Sequence, residues 1–458
     1  MSRLRERILP RRLGRDFSFL VSSSWVSNIG DGFELAAGPL LVASVTRDPV
    51  LVAMAALLQR LPWVLFGLYA GALADRYDRR RIVMGVDLTR AVILAILSAT
   101  ILTGHVQVWI VLVAIFLLGV AETFADTTSS TLLPMVVERA DLGIANARLQ
   151  TGFLTMNQLA GPPIGAALFA LGAAVPFVAQ AVCVAAGALM VGKMSVGRPR
   201  VHSEEPPRRV REDIATGFRW LWGHAAVRTL ALTILTFNVT FGAAWSVLVL
   251  YATDHLGMGE VGFGLLTTIS AVGGLLGTAS YGWLEQRVAL GTIMRSGLII
   301  ETLTHLGLAL TSSPLVAMVI FFCFGAHAFI WGTTARTVRQ RAVPEHIQGR
   351  VGSVYMLGMM GGLVVGQALG GPIAGAFGLT GPFWFAFGGS AVILALIWRQ
   401  LPSIAHSPDG ANSCYPGRGC TPAPCWQMRC ATRAVHPVWW AAPRPRPVSP
   451  WKYSLKTG

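Results

Sequence analysis

The stretch Gly71-Ala72-Leu73-Ala74-Asp75-Arg76-Tyr77-Asp78-Arg79-Arg80-Arg81 lies between two long apolar runs, residues 50–74 and 81–102. Each run is long enough to cross about 30 Å of hydrocarbon as a helix, which takes roughly 20 residues. Six of the seven residues from 75 to 81 are charged, so this segment cannot lie in lipid. Four of the six are arginines, which are typical of cytoplasmic loops. The pattern predicts two membrane helices, antiparallel and side by side, joined by a cytoplasmic hinge.

The composition of the whole chain agrees with this. The 458 residues are 53% hydrophobic and only 13% charged, with 50 glycines, whereas charged residues approach a quarter of a soluble protein. The net charge of +15 could suggest nucleic acid as a partner, but the arginines flank apolar runs instead of forming one stripe. The composition therefore predicts an all-α membrane protein with no nucleic-acid partner.

Apolar runs of span length occur twelve times. They fall near 17–43, 50–74, 81–102, 108–127, 148–170, 173–193, 225–250, 259–284, 289–311, 313–334, 352–375 and 378–400. Alternate connectors are rich in arginine and the others are nearly bare, which predicts that both termini are cytoplasmic. We expect a multi-pass protein of the cytoplasmic membrane.

Two landmarks recur along the chain. Gly71–Arg76 has a degenerate copy at Gly282–Arg287, and Gly161-Pro162-Pro163-Ile164-Gly165-Ala166 is matched from Gly371 onward, at offsets of 211 and 210 positions. Nearly equal offsets indicate a duplicated six-span unit. The predicted divisions are an N-terminal six-helix half (1–193), a central cytoplasmic loop (194–224), a C-terminal six-helix half (225–400) and a disordered tail (401–458). A non-native C-terminus is a hypothesis for that tail.

The central loop ends in a segment with helical spacing of apolar residues, from Glu212 to Trp222. Ile214, Phe218 and Leu221 lie on one face with Trp222 beside them, which predicts an amphipathic helix on the cytoplasmic surface. A linker helix that only tethers the halves explains the pattern equally simply.

The hinge resembles motif A of the major facilitator superfamily, a Gly-x-x-x-Asp-Arg core followed by basic residues between spans two and three. The twelve spans, the two halves and the central loop extend the resemblance over residues 1–400. Gln59-Arg60-Leu61-Pro62-Trp63 and Leu142-Gly143-Ile144-Ala145-Asn146-Ala147 resemble the branch of enterobactin-type siderophore exporters and multidrug pumps. The resemblance implies the major facilitator fold: an all-α membrane protein of twelve transmembrane helices in two pseudo-symmetric halves.

The resemblance also implies roles for two motifs. The hinge would form a cytoplasmic gate in which Asp75 latches the two halves, although arginines that merely fix topology explain the same charges. Gly71 is expected to permit a close helix approach. The gate residues are Gly71, Asp75, Arg76, Arg79 and Arg80.

The second motif lies in span five. It resembles the antiporter motif, except that Ala166 stands where a further glycine is usual, and it predicts a kinked, close-packed helix and favours export. Its residues are Gly161, Pro162 and Gly165. Many proton-driven exporters have an arginine in span four; here Ile115 stands at that position, so coupling must depend on other groups.

Ionisable residues within predicted spans are candidates for function, because charge in hydrocarbon is costly. Asp31 and Glu34 share one face of span one near its middle, which predicts proton coupling or binding of a cationic substrate; a structural pair with an arginine is the alternative. Glu301 and His305 in span nine could form a proton relay, or more simply an interhelical clasp. His327 is expected to be a lone packing residue.

Other polar residues within spans are weaker candidates. Arg60 needs a partner, for which Asp31 and Glu34 are available, unless it snorkels to the interface. The others could line a cavity, although interhelical hydrogen bonds explain them as well. The cavity-polar candidates are Arg60, Asn157, Gln158, Asn238 and Gln367.

The spacing of the cysteines in the tail is not that of a metal site, because no Cys-x-x-Cys pair occurs among Cys414, Cys420, Cys425 and Cys430. No nucleotide-binding loop appears, so an ion gradient is the expected energy source, with no cofactor or metal. The sequence predicts a secondary transporter, not an enzyme. It would be a monomer that exports small, largely apolar molecules of drug or siderophore type by alternating access, with proton antiport. An uptake carrier or facilitator, or a non-transporting receptor or scaffold, are the alternatives.

Overall fold

A computed structural model of the chain describes residues 13–195 and 210–401, and this part is helical with no strand. Fourteen helices carry the fold, and they are numbered here in chain order. Their bounds are α1 Gly14–Val45, α2 Pro49–Arg76, α3 Arg79–Leu102, α4 Val108–Ser130, α5 Leu142–Gly152, α6 Gly161–Leu171, α7 Val175–Gly192, α8 Val210–Gly223, α9 Ala225–Trp245, α10 Glu260–Arg287, α11 Leu290–Leu310, α12 Pro314–Ala342, α13 Gln348–Phe377 and α14 Gly381–Ile397.

Nine helices in the described ranges are long and apolar enough to cross a membrane. Three of the predicted spans fall outside that group. One is α1, which carries Asp31 and Glu34; another is interrupted between α5 and α6; the third, α14, has only 17 residues. The count of twelve spans therefore stays a prediction, while the helical membrane fold is confirmed.

Span five, for which a kinked helix is predicted, contains a π-helical segment. Between α5 and α6, residues Phe153–Ala160 form a π-helix that leads directly into Gly161, Pro162 and Pro163. Proline lacks a backbone N–H and so frees carbonyl groups in the preceding turn. A π-helical segment accommodates such a loss of regular hydrogen bonds, and it frequently occurs at functional sites.

The turn within the hinge is tight and consists of two residues, Tyr77 and Asp78. The Asp78 side chain accepts a hydrogen bond from the Arg81 backbone N–H at 3.3 Å and caps the start of α3. The prediction that α2 and α3 pack side by side is wrong, because α2 packs mainly on α4 and α13, whereas α3 packs mainly on α7 and α4. A short turn fixes the direction of two helices but not their packing partners.

The helices form two groups that meet at one end. Two helix pairs form the main contacts between the groups: α2 packs on α13, and α6 packs on α10. At the end that carries the loops 46–48 and 256–259, buried side chains of both groups form one continuous hydrophobic core. At the opposite end each group has separate clusters of its own. We call the first the closed end and the second the open end.

Candidate functional site

Asp31 lies in the middle of α1 between two glycines that bring neighbouring helices close. A Cβ atom at Gly30 would lie 3.0 Å from Cβ of Cys183 in α7. A Cβ atom at Gly32 would lie 2.7 Å from Cα of Gly161 at the start of α6. Only glycine allows such backbone approach. The Gly-Asp-Gly segment thus places the Asp31 carboxylate where three helices converge.

Arg90 of α3 is the partner of Asp31. Its Nη2 donates a hydrogen bond to Oδ1 of Asp31, and its Nη1 lies 3.4 Å from Oδ1 of Asp87 one turn earlier in α3. The Arg90 side chain is 4% exposed, so the guanidinium is held between two carboxylates away from solvent. A buried charge requires such partners. The structural arginine pair expected for Asp31 therefore exists, but with Arg90 instead of Arg60.

Two further carboxylates, Glu122 and Asp126 on one face of α4, line the same cavity as the Asp31–Arg90 pair. We call this the acidic cavity. It is about 440 Å³ in volume and lies among helices of the N-terminal group. Its wall also carries hydroxyl and amide groups, namely Ser23, Ser24, Ser27, Asn28, Ser129, Ser130, Asn146, Gln150 and Asn157. Four carboxylates and one buried guanidinium thus line this cavity.

Glu34 faces a different space. Its Oε2 accepts a hydrogen bond at 2.5 Å from Nε2 of Gln180 in α7, and the side chain lines a cavity of about 240 Å³ between the two helix groups. We call this the central cavity. Its C-terminal wall is aromatic, formed by Phe241, Trp245 and Phe263, and the Phe241 and Trp245 rings stack with centroids 4.3 Å apart.

The polar candidates within spans separate into two groups. Arg60 and Gln367 line the central cavity, and Asn157 lines the acidic cavity. Asn238 instead donates to Ile234 O of its own helix at 2.7 Å, and Gln158 donates to Asn157 Oδ1 at 2.5 Å. The prediction that Arg60 pairs with Asp31 or Glu34 is wrong, because Arg90 and Gln180 take those places.

The antiporter-like motif packs directly behind the acidic residues of α1. A Cβ atom at Gly161 or at Gly165 would overlap the backbone of α1 at Gly32 and Phe33. Pro162 is buried in the same contact. On its other side α6 meets the C-terminal group, where a Cβ atom at Gly264 of α10 would lie 2.7 Å from Cβ of Ala166. The close packing predicted for this motif is present and connects α1 to α10 through α6.

The hinge arginines bind the ends of helices in their own group. Arg79 donates to Ala74 O at 3.0 Å and to Thr131 O at 3.3 Å, and Arg80 donates to Gly192 O. Guanidinium groups at the carboxyl ends of α2, α4 and α7 complement the helix dipoles. The predicted latch residues Asp75 and Arg76 have side chains outside the described part of the structure.

The expected close helix approach at Gly71 is wrong for this conformation. The nearest atom to a Cβ at Gly71 would be Cγ2 of Thr127 at 4.0 Å, an ordinary contact. Close approach between α2 and α4 occurs instead at Gly119, where a Cβ atom would lie 2.9 Å from Gln59 O. Gly71 therefore lies beyond the tightest part of the α2–α4 contact.

Glu301 forms a buried clasp between α11 and α12. Its Oε2 lies 2.8 Å from Nε2 of His327, and its Oε1 lies 3.5 Å from Nε2 of His305. The prediction that His327 is a lone packing residue is wrong, because it is the nearest partner of Glu301. The His305 ring lies edge-on to the ring of Trp245, which lines the central cavity, with 6.0 Å between the two ring centroids.

Four residues of the acidic cavity escaped sequence reasoning: Asp87, Arg90, Glu122 and Asp126. All lie inside predicted spans, so the rule that intramembrane ionisable residues mark functional sites could have found them. Arg90 stands three residues after Asp87, the spacing of a pair on one helix face. The convergence of α1, α3 and α4 on one cavity, however, depends on tertiary packing that no spacing reveals.

Two helical groups that share a core at one end and have separate cores at the other, with a cavity between them and buried charges at mid-helix, define a secondary transporter of the major facilitator type. Comparison with known proteins agrees with that class. A family model described as transmembrane secretion effector matches residues 13–413, and the chain belongs to this family of the major facilitator superfamily. It is a multi-pass protein of the cell membrane.

Curated relatives and solved structures cover most of the chain. The multidrug efflux pump Tap of Mycolicibacterium fortuitum is 28% identical over 387 residues, 80% of this chain and 90% of the relative. Macrolide efflux protein A of Streptococcus pyogenes is 24% identical over 374 residues, 77% of this chain and 87% of the relative. A bacterial homologue of the iron transporter ferroportin, in its inward-facing state, superposes with a TM-score of 0.68 at 16% identity, covering 84% of this chain and 98% of that one.

Proposed function

We propose that this protein exports small, largely apolar molecules of drug type across the cytoplasmic membrane, in exchange for protons, by alternating access of its two helix groups. The names of the multidrug and macrolide efflux relatives support export of drugs. The arginine-rich connectors in the described ranges lie at the open end, which supports a cytoplasmic position for that end. The structure then corresponds to the state that loads substrate from the cytoplasm.

The central cavity is the proposed substrate site. It lies between the helix groups, where both contribute to the wall, so a change in their relative position changes its shape. The stacked Phe241 and Trp245 rings offer apolar and π surface, while Glu34 and Arg60 on the opposite wall offer charge. Such a combination suits a largely apolar molecule that is oriented by one or two polar groups.

Proton coupling is assigned to the acidic cavity, and the observation that carries it is the buried Asp31–Arg90 pair among three further carboxylates. One guanidinium cannot balance four ionised carboxylates, and Asp87 is buried beside it, so proton uptake is a low-cost way to neutralise the excess negative charge. A proton bound within this cluster changes the charge that Arg90 has to balance, and with it the strength of the Asp31–Arg90 ionic bond. The group is therefore a two-position element whose state follows proton binding.

A route from this element to the rest of the molecule follows from the helix contacts. Asp31 is flanked by Gly32, whose backbone lies against Gly161 of α6. α6 in turn packs on α10 of the other group at Ala166 and Gly264. A shift of α1 that accompanies loss of the Asp31–Arg90 bond therefore bears on a contact between the two helix groups.

The test is transport by the full chain reconstituted in liposomes with an imposed pH gradient. Asp31→Asn keeps the size of the side chain but cannot carry charge, so we expect substrate flux to lose its dependence on the gradient while insertion is normal. Glu260→Gln, an exposed carboxylate at the start of α10, is the matched control and should behave as the unmodified protein.

The same assay separates the alternatives. Gradient-driven flux that persists in Asp31→Asn would refute the coupling role of Asp31. Accumulation in the opposite direction would identify an uptake carrier, and absence of any flux in the unmodified protein would favour a receptor or scaffold. We propose a monomer as the working unit, because both cavities are completed by residues of one chain.

A further inference from the structure

Helix α8 directly precedes α9, a long helix of the C-terminal group, and one face of α8 packs on α13. Oδ1 of Asp213 lies 2.7 Å from Nε of Arg350, and Leu221 is buried with 4% exposure. A Cβ atom at Gly217 would lie 3.2 Å from the backbone N of Val351, so the two backbones are in close contact. The amphipathic helix predicted from Ile214, Phe218 and Leu221 is therefore present and packed.

Another face of α8 presents two aromatic rings that are half exposed in the described part of the structure. Phe218 and Trp222 are each 50% exposed, lie one turn apart, and stack with ring centroids 5.6 Å apart. The Arg228 guanidinium lies 5.9 Å from the centroid of Trp222 and donates to Trp222 O at 2.9 Å. Arg219 is exposed beside Phe218. Two exposed rings are thus flanked by two cationic groups.

The position of this surface relates it to the membrane. α8 ends at Gly223 and α9, which is long and apolar enough to span a membrane, begins at Ala225. Trp222 therefore lies at the level where a spanning helix enters the bilayer, the depth at which tryptophan is enriched.

Arginine placed over an exposed tryptophan recurs at the same end of the molecule. Arg287 lies 4.7 Å from the ring centroid of Trp283 at the end of α10, and Arg295 lies 4.8 Å from that of Trp398 after α14. In the described ranges, every cation–π pair lies at the open end. Exposed Trp109 at the closed end contacts Gln107 instead.

We propose that the outer face of α8 binds anionic phospholipids in the leaflet at the open end. Phe218 and Trp222 insert at the boundary between headgroups and acyl chains, as the apolar face of an interfacial helix does. Arg219 and Arg228 bind the lipid phosphate, for which the planar guanidinium is suited. A bilayer is the partner because the face is continuous with α9, and anionic headgroups are specified by the two arginines.

This contact bears on transport through α13. α8 is joined to α13 by the Asp213–Arg350 ion pair, and α13 packs on α2 of the other helix group. An anionic surface that holds α8 therefore also holds the open end of a helix at the interface between the groups. The lipid composition of that leaflet becomes a determinant of the transport rate.

The test measures lipid contact directly and does not require transport. The full chain is reconstituted in nanodiscs containing brominated phosphatidylglycerol or brominated phosphatidylcholine, and tryptophan fluorescence is compared with that of Trp222→Phe to isolate the Trp222 signal among the 14 tryptophans. We expect stronger quenching of Trp222 by the anionic lipid. In Arg219→Gln/Arg228→Gln this preference should fall by about fivefold per arginine.

Trp109, exposed at the closed end without an arginine, is the matched position, and the signal isolated with Trp109→Phe should show no preference between the two lipids. Added inorganic phosphate should leave the Trp222 preference unchanged, because a free ion does not supply the inserted acyl chains. Equal quenching of Trp222 by both lipids, or quenching by neither, overturns the proposal; the latter result would indicate a face covered by protein or water.

Discussion

At the scale of single residues, the buried charges are the least expected feature of the protein. Arg90 has two carboxylate neighbours, and its Nε has no hydrogen-bond partner in the described part of the chain. A pair in this setting contributes little net stability, because desolvation offsets the attraction between the charges. In the proposed coupling, the role of this pair is to respond to proton binding in the acidic cavity.

The cost of breaking this pair can be measured. Arg90→Gln leaves Asp31 and Asp87 buried without their cation, and we expect a loss of about 3–5 kcal/mol of stability, or protonation of one carboxylate in its place. The double variant Asp31→Asn/Arg90→Gln removes both charges and should recover part of the loss. Thermal unfolding in detergent of the four proteins of the cycle gives the coupling between the two sites.

The matched control for this cycle is Arg81→Gln. Arg81 is 77% exposed and lies 3.6 Å from Asp78, so an exposed pair of this kind should contribute no more than about 1 kcal/mol. Equal losses for Arg90→Gln and Arg81→Gln would contradict the description of Arg90 as a buried structural cation.

Residue types were predictable from the sequence, but partners were not. The rule that charge in hydrocarbon marks a site selected Asp31 and Glu34, and the structure places Asp31 in the wall of the acidic cavity and Glu34 in that of the central cavity. It could not show that Arg90 instead of Arg60 reaches Asp31, because that depends on which helices neighbour α1. His327 illustrates the same limit, since its partner Glu301 lies 26 positions away on another helix.

At the scale of helices, long runs of apolar residues located nearly every long helix, because a membrane span must be both long and apolar. The ends differ by a few residues where arginines extend a helix beyond the apolar run, as at Arg339 and Arg341 in the last turn of α12. Cationic side chains there complement the helix dipole. The π-helical turn at Phe153–Ala160 has no apolar signature, and the prolines after it predicted only a kink.

The duplicated motif offers a matched pair of glycines on two helices. Gly165 of α6 lies against the backbone of Phe33, whereas Gly375, its counterpart in α13, has open space around its Cβ position. We expect Gly165→Ala to separate α6 from α1, to cost about 1–3 kcal/mol of stability and to reduce transport. Gly375→Ala should leave both unchanged. Similar effects at the two positions, in unfolding and flux assays, would show that the motif acts without close packing.

At the scale of the whole molecule, one shared core at the closed end and separate clusters at the open end define the conformation. The sequence could predict the two-fold plan from its repeated landmarks, but not which end is closed, since alternating access uses both arrangements. The free energies of the two arrangements differ little in such proteins, so weak contacts at the closed end are able to change how much of each arrangement is populated.

The contact between Arg47 and Asp254 is such a determinant. Arg47 Nη1 lies 2.7 Å from Oδ1 of Asp254 and 3.3 Å from Oγ1 of Thr253, and the pair joins the two helix groups across the closed end. Its side chains are 61% and 37% exposed, so solvent screening limits the bond to about 1 kcal/mol or less.

Arg47→Ala should therefore raise the population with an opened closed end by up to about fivefold. Distance distributions between spin labels on Thr46→Cys and Glu260→Cys, which flank the closed end, report this change as a longer component. The exchange Arg47→Asp/Asp254→Arg should restore the original distribution, because the attraction is regained with its sign reversed at each site. Arg81→Ala, which breaks a pair within one group, should shift nothing. An unchanged distribution in Arg47→Ala would mean that apolar packing alone, around Val249 and Tyr251, holds this end closed.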